Sequence, residues 1–209
     1  MNEVRAVSPR EVRTTASVVP GVVYIPGIGP LALEQWVEDV IYDTVTLPTS
    51  ISAGQTFEFF TNISGKSKWE TNMTEAGKLP EGWMMWVVRA GLELLPGTDP
   101  DDAFQIVERS ALIFKTGVNK VHRHAPTWAW PIGFGMWGDH AVDGTTADNT
   151  IVQVGVPSPS AVRNLLLPVR ISNRLNFRVE MVFGRSATLS AETPIRFYLY
   201  GFISKPVST

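Results

Sequence analysis

Two histidines one residue apart, His122-Arg123-His124, are the most catalysis-like feature of this 209-residue sequence. On a regular strand, residues i and i+2 project to the same face. The pair could therefore share a metal ion, and His140 could supply a third ligand. A carboxylate ligand would have to come from Asp139 or elsewhere, because Ala125–Trp130 contains no glutamate. The competing reading is a strand end or loop with solvated imidazoles.

A second constellation is aromatic. Trp128, Trp130 and Trp137 lie in one segment with Pro126, Pro131, Gly133, Gly135 and Gly138. Tryptophans on loops can stack on sugar rings. They can equally be buried in a core or an interface, since indole combines a large apolar area with one N–H to satisfy. Trp36, Trp69, Trp83 and Trp86 show that tryptophan is used along the whole chain.

Other chemistry is poorly supplied. Asp99, Asp101 and Asp102 cluster beside Gly97 without the spacing of a helix–loop–helix calcium loop. They suit a solvated loop or a helix start. No G-x-S-x-G nucleophile motif, phosphate-binding loop or dinucleotide fingerprint is present. Cysteine is absent, which removes disulfides, thiol nucleophiles and cysteine-ligated zinc. Asn62-Ile63-Ser64 and Asn72-Met73-Thr74 match the glycosylation sequon, but no secretory signal layout accompanies them.

The elements that must position these residues are mostly strands. Hydrophobic residues make up 44% and charged residues 18% of the chain, so a core is affordable and disorder is disfavoured. No apolar run reaches the roughly 18 residues of a membrane-spanning helix. The net charge of -2 argues against a polybasic coat. Charge is uneven, however. Residues 1–104 hold 14 acids and 7 bases, and residues 105–209 hold 6 acids and 11 bases. This is either two arbitrary halves of one surface or an acidic face that meets a basic face on a neighbouring copy. Arg163, Arg170, Arg174, Arg178, Arg185 and Arg196 carry much of the basic half. They would make solvated sheet faces, an interface, or a surface turned towards nucleic acid.

Residues 1–33 read as an extended arm. Pro9, Pro20, Pro26 and Pro30 oppose a helix. The segment is nonetheless apolar in places, including Val22 and Tyr24, so it should dock on its own domain or on a neighbour. Arg5, Arg10 and Arg13 lie at its start, offset by Glu3 and Glu11. From residue 34 to 209 the chain reads as one domain. Period-2 alternation predicts strands over Tyr42–Leu47, Gln55–Thr61, Trp83–Leu94, Ser110–Lys115, Ile151–Val156, Asn164–Ser172, Asn176–Phe183 and Pro194–Ile203. Pro168 marks an edge position or a bulge. Short helices are predicted over Leu31–Ile41 and Asp99–Arg109, the latter with Asp99 as cap and Pro100 at the first position. About eight strands with turn-rich connections imply an all-β antiparallel sandwich of jelly-roll type.

The segment Thr71–Gly82 leading into the strand Trp83–Leu94, and Gly155-Val156-Pro157 leading through Leu165–Ile171 and Phe177–Phe183 to the closing Ile195–Val207, form a recognisable layout. It resembles the jelly-roll major capsid proteins of tailless icosahedral phages and related viruses. The likeness lies in the order of strands and turns over most of 40–207, without a catalytic motif. It implies a subunit that assembles with itself into a shell in the virion, with no catalysis and no cofactor. A second capsid or penton protein could share the lattice, and the genome could lie on the inner face. Arg5, Arg10, Arg13, Val22, Tyr24, Trp128, Trp130 and Trp137 would be the contact residues. Two other readings stay open. A cupin-like metalloenzyme would use His122, His124 and His140. A carbohydrate-binding sandwich, as in a tail or spike component, would use the three tryptophans.

Overall fold

The computed structural model describes residues 22–25, 27–32, 34–95, 97–130 and 164–205. Within them the chain is mostly strand, with two four-stranded antiparallel sheets and one α-helix. A short hairpin comes first, β1 (Val22–Ile25) and β2 (Gly29–Ala32). The first sheet contains β3 (Val37–Leu47), β6 (Met84–Leu94), β9 (Asn164–Ser172) and β12 (Thr193–Ser204), in the order β3-β12-β6-β9. The second contains β5 (Thr56–Phe59), β7 (Ser110–Thr116), β8 (Lys120–Pro126) and β10 (Phe177–Phe183), in the order β5-β10-β7-β8. Two-residue strands β4 (Ser50–Ile51) and β11 (Ala187–Thr188) pair at one end.

Alternation decides which side of each sheet is covered. Along β12, buried and half-buried residues alternate for all 12 positions, so Ile195, Phe197, Leu199 and Ile203 enter the core. Strand β10 sends Phe177, Val179, Met181 and Phe183 inward. The inner faces meet in one apolar cluster in which the Phe59 and Phe197 rings lie 5.7 Å apart and the Phe60 and Phe177 rings 5.4 Å apart. Gly201 marks the closest approach within a sheet. At the β6–β12 irregularity a Cβ on residue 201 would lie 1.7 Å from the Trp86 carbonyl oxygen, so only glycine fits.

Helix α1 (Pro100–Arg109) starts where the sequence places it. Asp99 accepts from the backbone N–H groups of Asp101 at 2.8 Å and Asp102 at 3.4 Å. Asp102 in turn accepts from Ser190 N at 2.9 Å and Ser190 Oγ at 2.6 Å. The acidic cluster is therefore a helix start pinned to the β11–β12 connection.

The predicted helix over Leu31–Ile41 is not formed. Leu31 and Ala32 are the last residues of β2, a turn follows in which Gln35 N donates to Ala32 O, and β3 begins at Val37. The β-branched run from Val37 finds an eleven-residue ladder with β12, and tertiary pairing overrides the weak helical period. The described part of the arm, residues 22–25 and 27–32, is likewise a hairpin and not a single extended stretch. A Cβ on Gly27 would lie 3.1 Å from Pro168 Cδ, so the hairpin rests on β9. Ile151–Val156 lies outside the described residues.

Candidate interaction surface

Strands β8 and β9 are the last strands of their respective sheets, on the same flank of the sandwich. Between them runs a groove of about 1180 Å³. Its walls include Val118, Val121, Leu166 and Leu167, with Lys120 and Arg170 at its sides. Leu166 is 96% exposed, Leu167 82% and Val118 86%. Pro168 explains part of this. It sits on edge strand β9, where the ladder skips from Val87↔Val169 to Arg89↔Asn164. The intervening leucines are therefore released from regular pairing and turned outward.

Strand β8 carries the histidines, and a bulge separates them. Phe114 pairs with Arg123, but Lys115 pairs with Val121, so His122 is the extra residue. Its Nε2 lies 2.7 Å from Thr116 Oγ1 and its ring lies 5.5 Å from the Phe114 ring, on the inward side of β7. His124 stands opposite Ile113, which faces outward, and is exposed. The expectation of two imidazoles on one strand face is thus corrected by the bulge. Burial, followed by the nearby positive charge of Lys120, holds His122 below the ordinary histidine pKa. Among the described residues no group of three or more His, Asp or Glu side chains could hold a metal ion. His140 lies outside the described residues.

The tryptophans divide in the same way. Trp130 is buried, edge-on to Phe197 at 5.5 Å, with Nε1 donating to Ala125 O at 3.3 Å. The Arg123 guanidinium covers it at 4.4 Å and donates to Ala129 O at 2.7 Å. Trp130 is therefore a core residue and not a surface contact. Trp128, in the short 3-10 turn Thr127–Ala129, is 68% exposed. Trp137, Arg5, Arg10 and Arg13 lie outside the described residues. Val22 is half-buried in β1 and Tyr24 is 72% exposed.

The outward arginines of the basic half are partly committed inside the subunit. Arg178 pairs with Glu180 at 2.7 Å and lies 3.7 Å from Glu58. Arg196 lies 3.6 Å from Glu93 and 4.5 Å from the Trp69 ring, and donates to Trp69 O at 2.7 Å. The hydroxyl of Tyr198 donates to Glu93 beside it. These arginines tie the sheet faces together, whereas Arg170 and Arg174 remain on the exposed surface near the groove.

The exposed leucines Leu166 and Leu167 were not singled out by sequence reasoning. The apolar run of NLLLPVRIS does not by itself say which of its leucines face outward. The available signal was Pro168, which foretold an edge, though not the outward turn of its neighbours.

No family model, no curated protein and no solved structure matches the chain.

Proposed function

We propose that this chain is a viral structural protein, a capsid subunit of jelly-roll type that assembles with itself into an icosahedral shell around a genome. The nesting of the strand pairs carries the reading. Counting the strands of the two large sheets from β3 to β12 as first to eighth, the first pairs with the eighth and the second with the seventh. The third pairs with the sixth and the fourth with the fifth. This is the pairing of one long eight-stranded hairpin. Two further pairings, eighth with third and seventh with fourth, roll that hairpin into two sheets. Viral shell subunits are among the proteins built on this plan.

The surface favours a shell subunit. Leu166, Leu167, Val118, Trp128, Phe104 and Tyr24 are all more than two-thirds exposed. Of these, Leu166, Leu167 and Val118 share the walls of one groove, and a contiguous apolar surface of that kind favours contact with another molecule. In this reading the arm, with Arg5, Arg10 and Arg13, joins neighbouring subunits, and Tyr24 and Trp128 contribute aromatic anchors.

Light scattering and sedimentation of the purified protein, across salt and pH, test the proposal. Formation of large, uniform species is the expected result. A monomer under every condition would overturn it.

A further inference from the structure

Among the described residues the two flanks of the sandwich differ in the sign of their excess charge. On the β8–β9 flank, residues 117–130 and 164–175 contain Lys120, Arg123, Arg170 and Arg174 and no acid. On the opposite flank, β3 and β5 are the first strands of their sheets, and the 60–82 loop runs beside them. Thr71 bridges to Asp43 on the free edge of β3, and the Asn72 side chain bonds the backbone of Val40 and Tyr42. Residues 34–82, which build this flank, contain eight Asp or Glu and three Lys. Lys205 pairs with Asp39 and Arg178 lies 3.7 Å from Glu58, while Arg196 donates to the Trp69 carbonyl, so the acidic excess rests on the exposed Glu38, Glu75 and Glu81.

We propose that the β8–β9 groove receives the β3–β5 flank of a second copy of this chain, in a head-to-tail contact. The inference rests on the self-assembly reading and specifies its lateral interface. Because the strand orders of both sheets place the two flanks at opposite ends, one subunit presents both halves of the contact. Such a heterologous contact repeats from copy to copy, and it builds rings or shells where its rotation closes and open filaments where it does not. Leu166, Leu167 and Val118 supply the apolar centre that excludes water, and the charges on either side set the register. A groove-to-groove contact would place Lys120 and Arg170 against their own copies and is disfavoured by like-charge repulsion.

Three full-length variants test the pairing. One reverses the basic flank (Lys120→Glu/Arg170→Glu), one reverses the acidic flank (Glu38→Lys/Glu75→Lys), and one combines all four changes. Each is checked by near-ultraviolet circular dichroism before its assembly is followed by light scattering. Each single-flank variant is expected to need about tenfold more protein to assemble than the wild type. The combined variant, with its charges exchanged, is expected to assemble close to the wild-type concentration. Wild-type assembly is also expected to weaken with salt, as charges are screened within about 10 Å at 0.1 M.

If the wild type assembles and either single-flank variant assembles equally well, the flank pairing is overturned while the shell reading stands. Failure of the combined, folded variant to recover would also overturn it. A wild type that stays monomeric throughout would overturn both.

Discussion

The Asp43 carboxylate accepts a hydrogen bond from the backbone N–H of Phe60 at 2.6 Å, and Phe60 is held there in the left-handed conformation with φ 73°. The Phe60 carbonyl accepts from Gly77 N at 2.7 Å, and its buried ring lies between Phe177 and Phe197. The carboxylate is fully buried and pairs with Lys66 at 2.8 Å. One side chain thus balances a lysine and fixes a strained residue where the chain leaves β5. Asp43→Asn removes the charge at nearly constant shape. It should lower unfolding stability in urea by about 2–4 kcal/mol. A change within measurement error would show that the bond holds nothing.

Gly201 gives a second stability test. A Cβ there meets the Trp86 backbone, which cannot rotate away as a side chain can. Gly201→Ala should cost about 3 kcal/mol, at the upper end for overpacking. Urea unfolding of a variant as stable as the wild type would mean that the β6–β12 irregularity relaxes freely.

Much of this fold was legible because alternation is clean where one face is buried. Phe177–Phe183 and Pro194–Ile203 are strands in the predicted phase, and Asp99-Pro100 starts a helix as its capping chemistry dictates. Alternation says nothing about an inserted residue. The bulge at His122 therefore separated two histidines that a regular strand would have put together. Leu31–Ile41 failed for a related reason: its apolar spacing suits a helix, and only the distant partner β12 decides that Val37 opens a strand. Alternation puts Asp43 on the same strand face as Val45 and Leu47, but nothing nearby reveals that it is buried with Lys66 and Phe60 to satisfy it.

Acid sensitivity should trace in part to Glu180. Burial pushes this carboxyl up, but its bonds to Lys115 at 2.6 Å and Arg178 at 2.7 Å outweigh that and hold it below the ordinary 4.5. A carboxyl depressed on folding stabilises the fold above its unfolded pKa. That stabilisation is lost as pH falls through the folded value. Glu180→Gln should therefore be less stable than wild type at neutral pH, with the difference shrinking below pH 4.5. Thermal unfolding from neutral to acid pH reads this directly; a difference independent of pH would exclude the mechanism.

Leu166 and Leu167 separate assembly from folding. Both side chains lie outside the core, so Leu166→Ser/Leu167→Ser should change stability by no more than about 0.5 kcal/mol. Light scattering should nevertheless show impaired assembly. Unimpaired assembly in this variant would remove the leucines from the contact.

Whether this sandwich builds a closed shell is read from negative-stain electron microscopy of the purified protein at several salt and pH values. Closed particles of uniform diameter, or regular rings of subunits, are expected. Fields containing only isolated monomers under every condition would rule out a shell subunit.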